Sequence, residues 1–247
     1  MSDIIAEKDH WTRRAQYIYT SHHQTRAGRY LLDSVVRRIV RMGHCSSHSS
    51  ALEVGCAAGT QSIALRRMGF ERAFGLDINK SVLDLASRNS KDQGLEGDYF
   101  IMGDAQQLPV ATGSLDLVFS VGVMEHLPNL HASLLEQRRV LRPGGRLVMA
   151  VPNTYCPWWT TAKKWRAALS KKDHFAFPGA FRTFSPCQGR RALKKAGFHN
   201  VVYEAGDAVL PQCPDWLAGV NILLEKIVER TPLLKDTQAM LYCAGSR

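Results

Sequence analysis

Several stretches of the chain carry side chains whose types and spacing could handle a ligand. The first is Leu52-Glu53-Val54-Gly55-Cys56-Ala57-Ala58-Gly59-Thr60, an apolar run that breaks into a glycine turn and leads into a helical pattern. Gly55 and Gly59 permit a tight turn and let a ligand approach the backbone closely. A nicotinamide dinucleotide site would need the G-x-G-x-x-G fingerprint. Ala57 and Thr60 occupy its second and third glycine positions, so that pattern fails. The remaining E-x-G-x-x-x-G suits a ligand with an adenosine and a charged amino-acid tail but no pyrophosphate. The Glu53 carboxylate could reach the ammonium of such a tail, directly or through water.

Two further carboxylates fall where an adenosine would want them. Asp77 ends Gly75-Leu76-Asp77, at the distance from the glycine turn where an acidic residue binds ribose hydroxyls. It could instead cap the next helix, but Ser81 reads as the better cap, which leaves Asp77 for the ligand. Asp104 follows Met102-Gly103 and can accept a hydrogen bond from an adenine amino group. After Asp116-Leu117-Val118-Phe119-Ser120 comes Val121-Gly122-Val123-Met124-Glu125-His126-Leu127. His126, with an ordinary pKa near neutrality, suits a general base on the acceptor side. Its structural alternative is a loop histidine bonded to a backbone carbonyl. Glu125 could orient it, but one carboxylate and one imidazole are too few ligands for a metal, and none is expected. His44, Cys45 and His48 sit in a Ser-rich stretch and read as solvated loop.

The elements that must hold these residues alternate. Short apolar strands are expected at 51–54, 73–76, 99–102, 115–120 and 146–151, with helices at 61–68, 81–89 and 131–141 between them. This is the pattern of βαβ units and a parallel sheet covered on both faces. The first forty residues read as helix. Pro186 opens a helix that Ser185 can cap and Gly197 can end. Strand 199–204, helix 215–229 and strand 238–243 follow. The 247 residues carry a net charge of +10, with 45% apolar and 22% charged residues, which excludes a disordered chain. No stretch approaches the ~18 apolar residues of a membrane span, and the N-terminus lacks the pattern of a signal peptide. The six cysteines form no CxxC pair, so reduced thiols and a cytoplasmic setting are expected.

Together these pieces resemble the class I S-adenosylmethionine-dependent methyltransferases, most closely the type 11 group that includes the ubiquinone and menaquinone methyltransferases. The resemblance covers about residues 50–205. It implies an α/β, Rossmann-like, seven-stranded and mostly parallel sheet with helices on both faces. The last strand is antiparallel, and a helical cap lies over the strand C-terminal ends. It implies S-adenosyl-L-methionine as cofactor and S-adenosyl-L-homocysteine as product. Glu53, Gly55, Ala57 and Gly59 would form the cofactor loop. Asp77 would hold the ribose, with Ile78 against the adenine and Asp104 and Ala105 at the adenine edge. Val121 and Gly122 would line the cofactor, and His126 would lie near the transfer site. Ala57 departs from the glycine of many members; alanine is small enough for cofactor binding to survive. The group methylates quinones, lipids, sterols, sugars and many secondary metabolites, so the acceptor stays open.

The expected organisation is one domain over 1–247. It has an N-terminal helical cap at 1–45, a cofactor-binding core at 50–153, a basic aromatic lid at 154–184, and a C-terminal half at 185–247 with a helical insertion at 207–236. Residues 151–200 hold ten basic groups against one acidic, net +9, while residues 51–150 are net −1. Trp158, Ala162, Trp165 and Leu169 fall on one helical face, with Lys163, Lys164 and Arg166 leaning to the other. This reads as a lid helix, or as contact with a membrane surface or an anionic carrier. The expected acceptor is a small molecule or lipid-like compound. An RNA-directed methyltransferase using the 151–200 surface and a non-catalytic binding protein of the same fold are the alternatives. Nucleic acid is disfavoured because Val121–Met124 lacks the D/N-P-P-Y/F run of enzymes that methylate base amino groups.

Overall fold

Ala51–Val54 is apolar but for Glu53 and buried at every position, and it forms the central strand β1 of a computed structural model. The structure describes residues 2–157, 182–207, 214–232 and 234–247, with only the backbone described over 2–9. The basic aromatic lid expected at 154–184 therefore lies largely outside the described residues.

Around β1 stand β2 (Ala73–Asp77), β3 (Phe100–Met102), β4 (Leu115–Val121), β5 (Leu141–Pro152), β6 (His199–Gly206) and β7 (Met240–Ser246). The order across the sheet is β3-β2-β1-β4-β5-β7-β6. Pairings from β3 through β5 are parallel, and β7 runs antiparallel to both β5 and β6. The chain reverses direction across the sheet between β1 and β4. Such a switch point opens a crevice beyond the strand C-terminal ends, where ligands of open α/β sheets sit.

The helices are α1 (Ser2–Gln24), α2 (Arg26–Gly43), α3 (Thr60–Arg67), α4 (Lys80–Asp92), α5 (Leu130–Val140), α6 (Pro186–Lys195) and α7 (Ala218–Arg230). Leu31, Leu32, Val35, Val36 and Ile39 recur at helical spacing on α2 and bury against Ala51, Leu117, Phe119 and Val148 on one sheet face. Leu134, Val140 and Leu193 of α5 and α6 cover Leu52, Val54, Val118 and Met149 on the other. With both faces covered, the inner strands can be apolar at every position. α1 instead packs Ala15 and Tyr19 on Ala58, Ile63, Val82 and Leu85. That places it across the loop that follows β1.

Ser185 and Gly197 bound α6 as expected, and Gln188 completes a capping box with Ser185. β5 begins at Leu141 rather than at 146. Leu115 pairs with Leu141, and Leu117 next with Arg146, so the Arg142-Pro143-Gly144-Gly145 stretch is a bulge. A proline is tolerated there because it owes no ladder hydrogen bond.

At the far edge of the sheet α2 contributes a buried Arg38. Its Nε meets Glu204 Oε1 at 2.6 Å, Nη1 meets Asp207 at 2.9 Å and Nη2 meets Glu229 at 3.1 Å. The guanidinium also lies 4.9 Å from the centroid of the Tyr242 ring, and the Tyr242 hydroxyl donates to Asp207. One side chain thus ties α2 to β6, β7 and α7. Among the described residues no helix is long and apolar enough to cross a membrane.

Candidate active site

The loop after β1 is fastened to β2. The amides of Gly55 and Cys56 both donate to the Leu76 carbonyl, at 2.7 and 2.9 Å. Gly55 has φ +75°, and a Cβ there would come within 2.4 Å of the Val123 side chain, so both backbone and space demand glycine. Ala57 follows with φ +47°, a left-handed conformation that alanine rarely adopts. Asp77 Oδ2 accepts from the Ala57 amide at 3.0 Å and holds it there. The left-handed geometry costs an L-residue ~1–2 kcal/mol, and the added unfolded-state entropy of glycine returns ~0.4–1 kcal/mol of that. Ala57→Gly is therefore expected to stabilise the fold by about 0.5–1 kcal/mol, read as a higher urea midpoint at constant m.

Asp77 is not left wholly to a ligand. Its Oδ1 accepts from the Asn79 amide at 2.9 Å while Oδ2 holds Ala57. Asn79, not Ser81, caps α4: its side chain accepts from the Ser81 amide at 3.0 Å, because Ser81 already sits inside the first turn. Burial raises the Asp77 pKa, and the backbone amides of Asn79, Ala57 and Ile78 work against that. Each carboxylate oxygen keeps a lone pair for a ribose hydroxyl.

Glu53 lies beneath the loop, buried, with Oε2 accepting from the amide of Ser62 at 2.9 Å and from its hydroxyl. Burial pushes its carboxyl up to about 8, against the pull of Ser62. Glu53 thus steadies the start of α3. On the outer side, Asn89 Nδ2 donates to the Ala58 carbonyl at 3.1 Å, and the Tyr19 hydroxyl reaches the Asn89 carbonyl at 3.4 Å.

Asp104 stands one residue beyond the Gly103 amide, which donates to the Asp77 carbonyl at 3.0 Å. Its Oδ1 accepts from Gln106. The two expected adenosine carboxylates therefore sit at adjacent strand ends. Next to them in the chain Ile78 and Met102 are exposed, two large apolar side chains at the ends of β2 and β3. Met102 carries no pattern that marks it in the sequence; only its place at the end of β3 does.

At the end of β4, Gly122 has φ +69°, and its amide donates to Ala150 at 2.9 Å. Glu125 is buried, and its Oε2 has no hydrogen-bond partner among the described residues. Burial drives its pKa up to about 8. His126 Nε2 lies 3.9 Å from Glu125 Oε1, too far for a hydrogen bond. The expectation of a near-neutral His126 does not hold. Burial, with the charge of Arg14 beside it, pushes its pKa down to about 4. The Trp11 ring meets the imidazole edge to face at 5.2 Å, and Arg14 lies 5.8 Å over Trp11. α1 thus brings Trp11 and Arg14 to a loop more than a hundred residues away.

Residues 52–149 match a methyltransferase domain family. The chain is 32% identical over 126 residues to Methyltransferase GfsG of Streptomyces halstedii, covering 50% of this chain and 44% of that protein. It is 31% identical over 149 residues to a ubiquinone biosynthesis O-methyltransferase of Maricaulis maris, covering 59% and 57%. The chain spans about half the length of these curated relatives, or less. In fold it matches the crystal structure of a SAM-dependent methyltransferase from Archaeoglobus fulgidus, with TM-score 0.62 and 16% identity over 89% of this chain and 94% of that one. Over residues 52–149 the chain is thus similar to the type 11 methyltransferase domain family, and its fold is that of solved SAM-dependent methyltransferases.

Proposed function

We propose that the protein transfers a methyl group from S-adenosylmethionine to an O, N or C atom of a small-molecule or lipid-like acceptor, by in-line displacement. The observation that carries this is the convergence at one switch point of the Gly55–Gly59 loop, Asp77 and Asp104, with the exposed apolar Ile78 and Met102 next to them in the chain. Exposed apolar side chains of this kind suit an adenine ring, and the two carboxylates suit a ribose and an exocyclic amine. When bound, the cofactor supplies a methyl group made electrophilic by its sulfonium.

The chain's own residues then have to position the acceptor. Gly55, Ala57 and Gly59 keep the backbone close to the amino-acid tail, with Glu53 fixing the loop from below. Asp77 holds the ribose hydroxyls, Ile78 covers the adenine, and Asp104 and Ala105 bound its edge. Val121 and Gly122 line the cofactor after β4. Alignment of this kind can supply ~7–11 kcal/mol of barrier reduction. His126 takes the acceptor's proton where the acceptor is a hydroxyl or an acidic carbon; an amine that arrives deprotonated needs no base. Trp11 of α1 closes the acceptor side and keeps water from His126. The quinone-related relative supports a lipid-like acceptor.

The proposed setting is the cytoplasm, at the periphery of a membrane or against an anionic carrier contacted through 154–184. The net +9 of residues 151–200 supports this.

Calorimetry tests the cofactor assignment. S-adenosylmethionine and S-adenosylhomocysteine should bind and NADH should not; the reverse would overturn the reading. Asp77→Ala is expected to weaken S-adenosylhomocysteine binding by ~1.5–3 kcal/mol, about ten- to a hundredfold. An unchanged Kd would mean that Asp77 serves only Ala57 and Asn79.

A further inference from the structure

α7 turns four of its large apolar side chains, Val220, Leu223, Leu224 and Ile227, away from the protein. Ala218 and Glu225 are buried, and Ile222 packs on the core beneath α2. Trp216, just ahead of the helix, is 80% exposed, and Val220, Leu223, Leu224 and Ile227 lie between 49% and 57%. Their spacing sets them along one face, roughly opposite the buried one. A single exposed leucine needs no explanation, but a continuous apolar stripe marks a contact surface.

The charges that α7 itself sets beside the stripe have one sign, and Asp215, ahead of Trp216, accepts from the Arg26 amide at 2.8 Å. Lys226 and Arg230 border it and are exposed. The helix acids point elsewhere: Glu225 is buried, and Glu229 pairs with Arg38 at 3.1 Å. A second copy of this face would bring the same cations and no helix carboxylate to answer them. A lipid surface answers both features, since acyl chains receive the apolar side chains and anionic headgroups receive the cations. Tryptophan is favoured at that boundary, where one part of its ring system is wet and the other apolar.

We propose that the outward face of α7, from Trp216 to Ile227 with Lys226 and Arg230 at its border, docks into the headgroup region of an anionic membrane. This contact is separate from the one proposed for 154–184, and it stands independently of methyl transfer. Loss of S-adenosylhomocysteine binding by the unaltered protein would sink the enzymatic reading and leave the vesicle result untouched.

The test is co-sedimentation of the full chain with vesicles of phosphatidylcholine and phosphatidylglycerol, against phosphatidylcholine alone. Binding should require the anionic lipid. Leu223→Glu with Ile227→Glu should lower partitioning at least about tenfold, and Lys226→Glu with Arg230→Glu about tenfold. S-adenosylhomocysteine affinity should be unchanged in both, which shows that the fold survives. The proposal is overturned if the unaltered chain does not bind, or if binding survives both pairs of substitutions and falls only with Lys163→Glu and Lys164→Glu. A dimer in sedimentation velocity that Leu223→Glu dissociates would assign the stripe to a second copy. A Leu224→Cys thiol that resists maleimide without vesicles would show that the chain itself covers the stripe. Either result overturns membrane docking.

Discussion

Alanine in place of His126 is expected to slow methyl transfer to a hydroxyl or acidic-carbon acceptor by about 10²-fold, the lower end of the 10²–10⁴ typical of a positioned base. The reason for the lower end is the pKa near 4 set by burial and by Arg14. A weak base drives proton removal less, although it stays unprotonated and available at neutral pH. S-adenosylhomocysteine affinity should barely move if His126 serves the acceptor as proposed. For a phenolic acceptor the loss should shrink at high pH, where the phenol ionises unaided. Glu125, held up to about 8, is protonated at neutral pH, so Glu125→Gln should change the rate little. Equal losses in binding and rate for His126→Ala would reduce His126 to a loop-packing role.

The pH dependence follows with definite signs. The folded pKa of His126 lies below the unfolded value of 6.5, so its contribution to stability is present above 6.5 and lost as pH falls toward about 4. For Glu125 the folded pKa lies above the unfolded 4.5, so its contribution is complete below 4.5 and lost as pH rises through about 8. An NMR titration in which the His126 imidazole protonates near 6.5 would contradict the closed packing of Trp11 over it.

The largest expected effect on stability is at Arg38. Arg38→Met should cost about 3–5 kcal/mol, because it strips the buried Asp207, and the partly exposed Glu204 and Glu229 beside it, of their cation. Asp207 is the group left worst off: it is buried, and burial already pushes its carboxyl up against the pull of Arg38. Arg38→Lys keeps the charge but not the fork that spans Glu204, Asp207 and Glu229 at once, and should fall between the two. Urea unfolding measures the difference. A loss under about 1 kcal/mol would mean that the cluster behaves as a solvated surface network. Cofactor affinity should be preserved, since β6 and β7 lie across the sheet from β1 and β2.

What could be read from the residues alone was what is written locally. Strand β1, its glycine turn and the acidic ends of β2 and β3 each declare themselves within a few positions. What escaped was set by residues distant in the chain. Even Ser62, nine positions on, takes up Glu53 Oε2 only because α3 turns back after the glycine loop. Arg38 meets partners 166 to 191 positions away. The basicity of His126 depends on burial and on Arg14, and Trp11 of the same helix meets its ring, which no spacing near His126 announces. A helix near 215–229 was legible from its periodicity, but which face it turns outward depends on where α2 lies. The cap of α4 moved from Ser81 to Asn79, a two-residue question that backbone geometry decides.

The position of β7 between β5 and β6 has a consequence for synthesis. It is the last strand in chain order, yet neither of its neighbours pairs with the other. A ribosome that has delivered β1 through β6 has delivered a sheet that ends at β5, with one edge of β5 unpaired, and a strand with nowhere to lie. That open edge is a template for joining other nascent chains. Closure waits on seven residues, Met240–Ser246, which must thread between two elements already made.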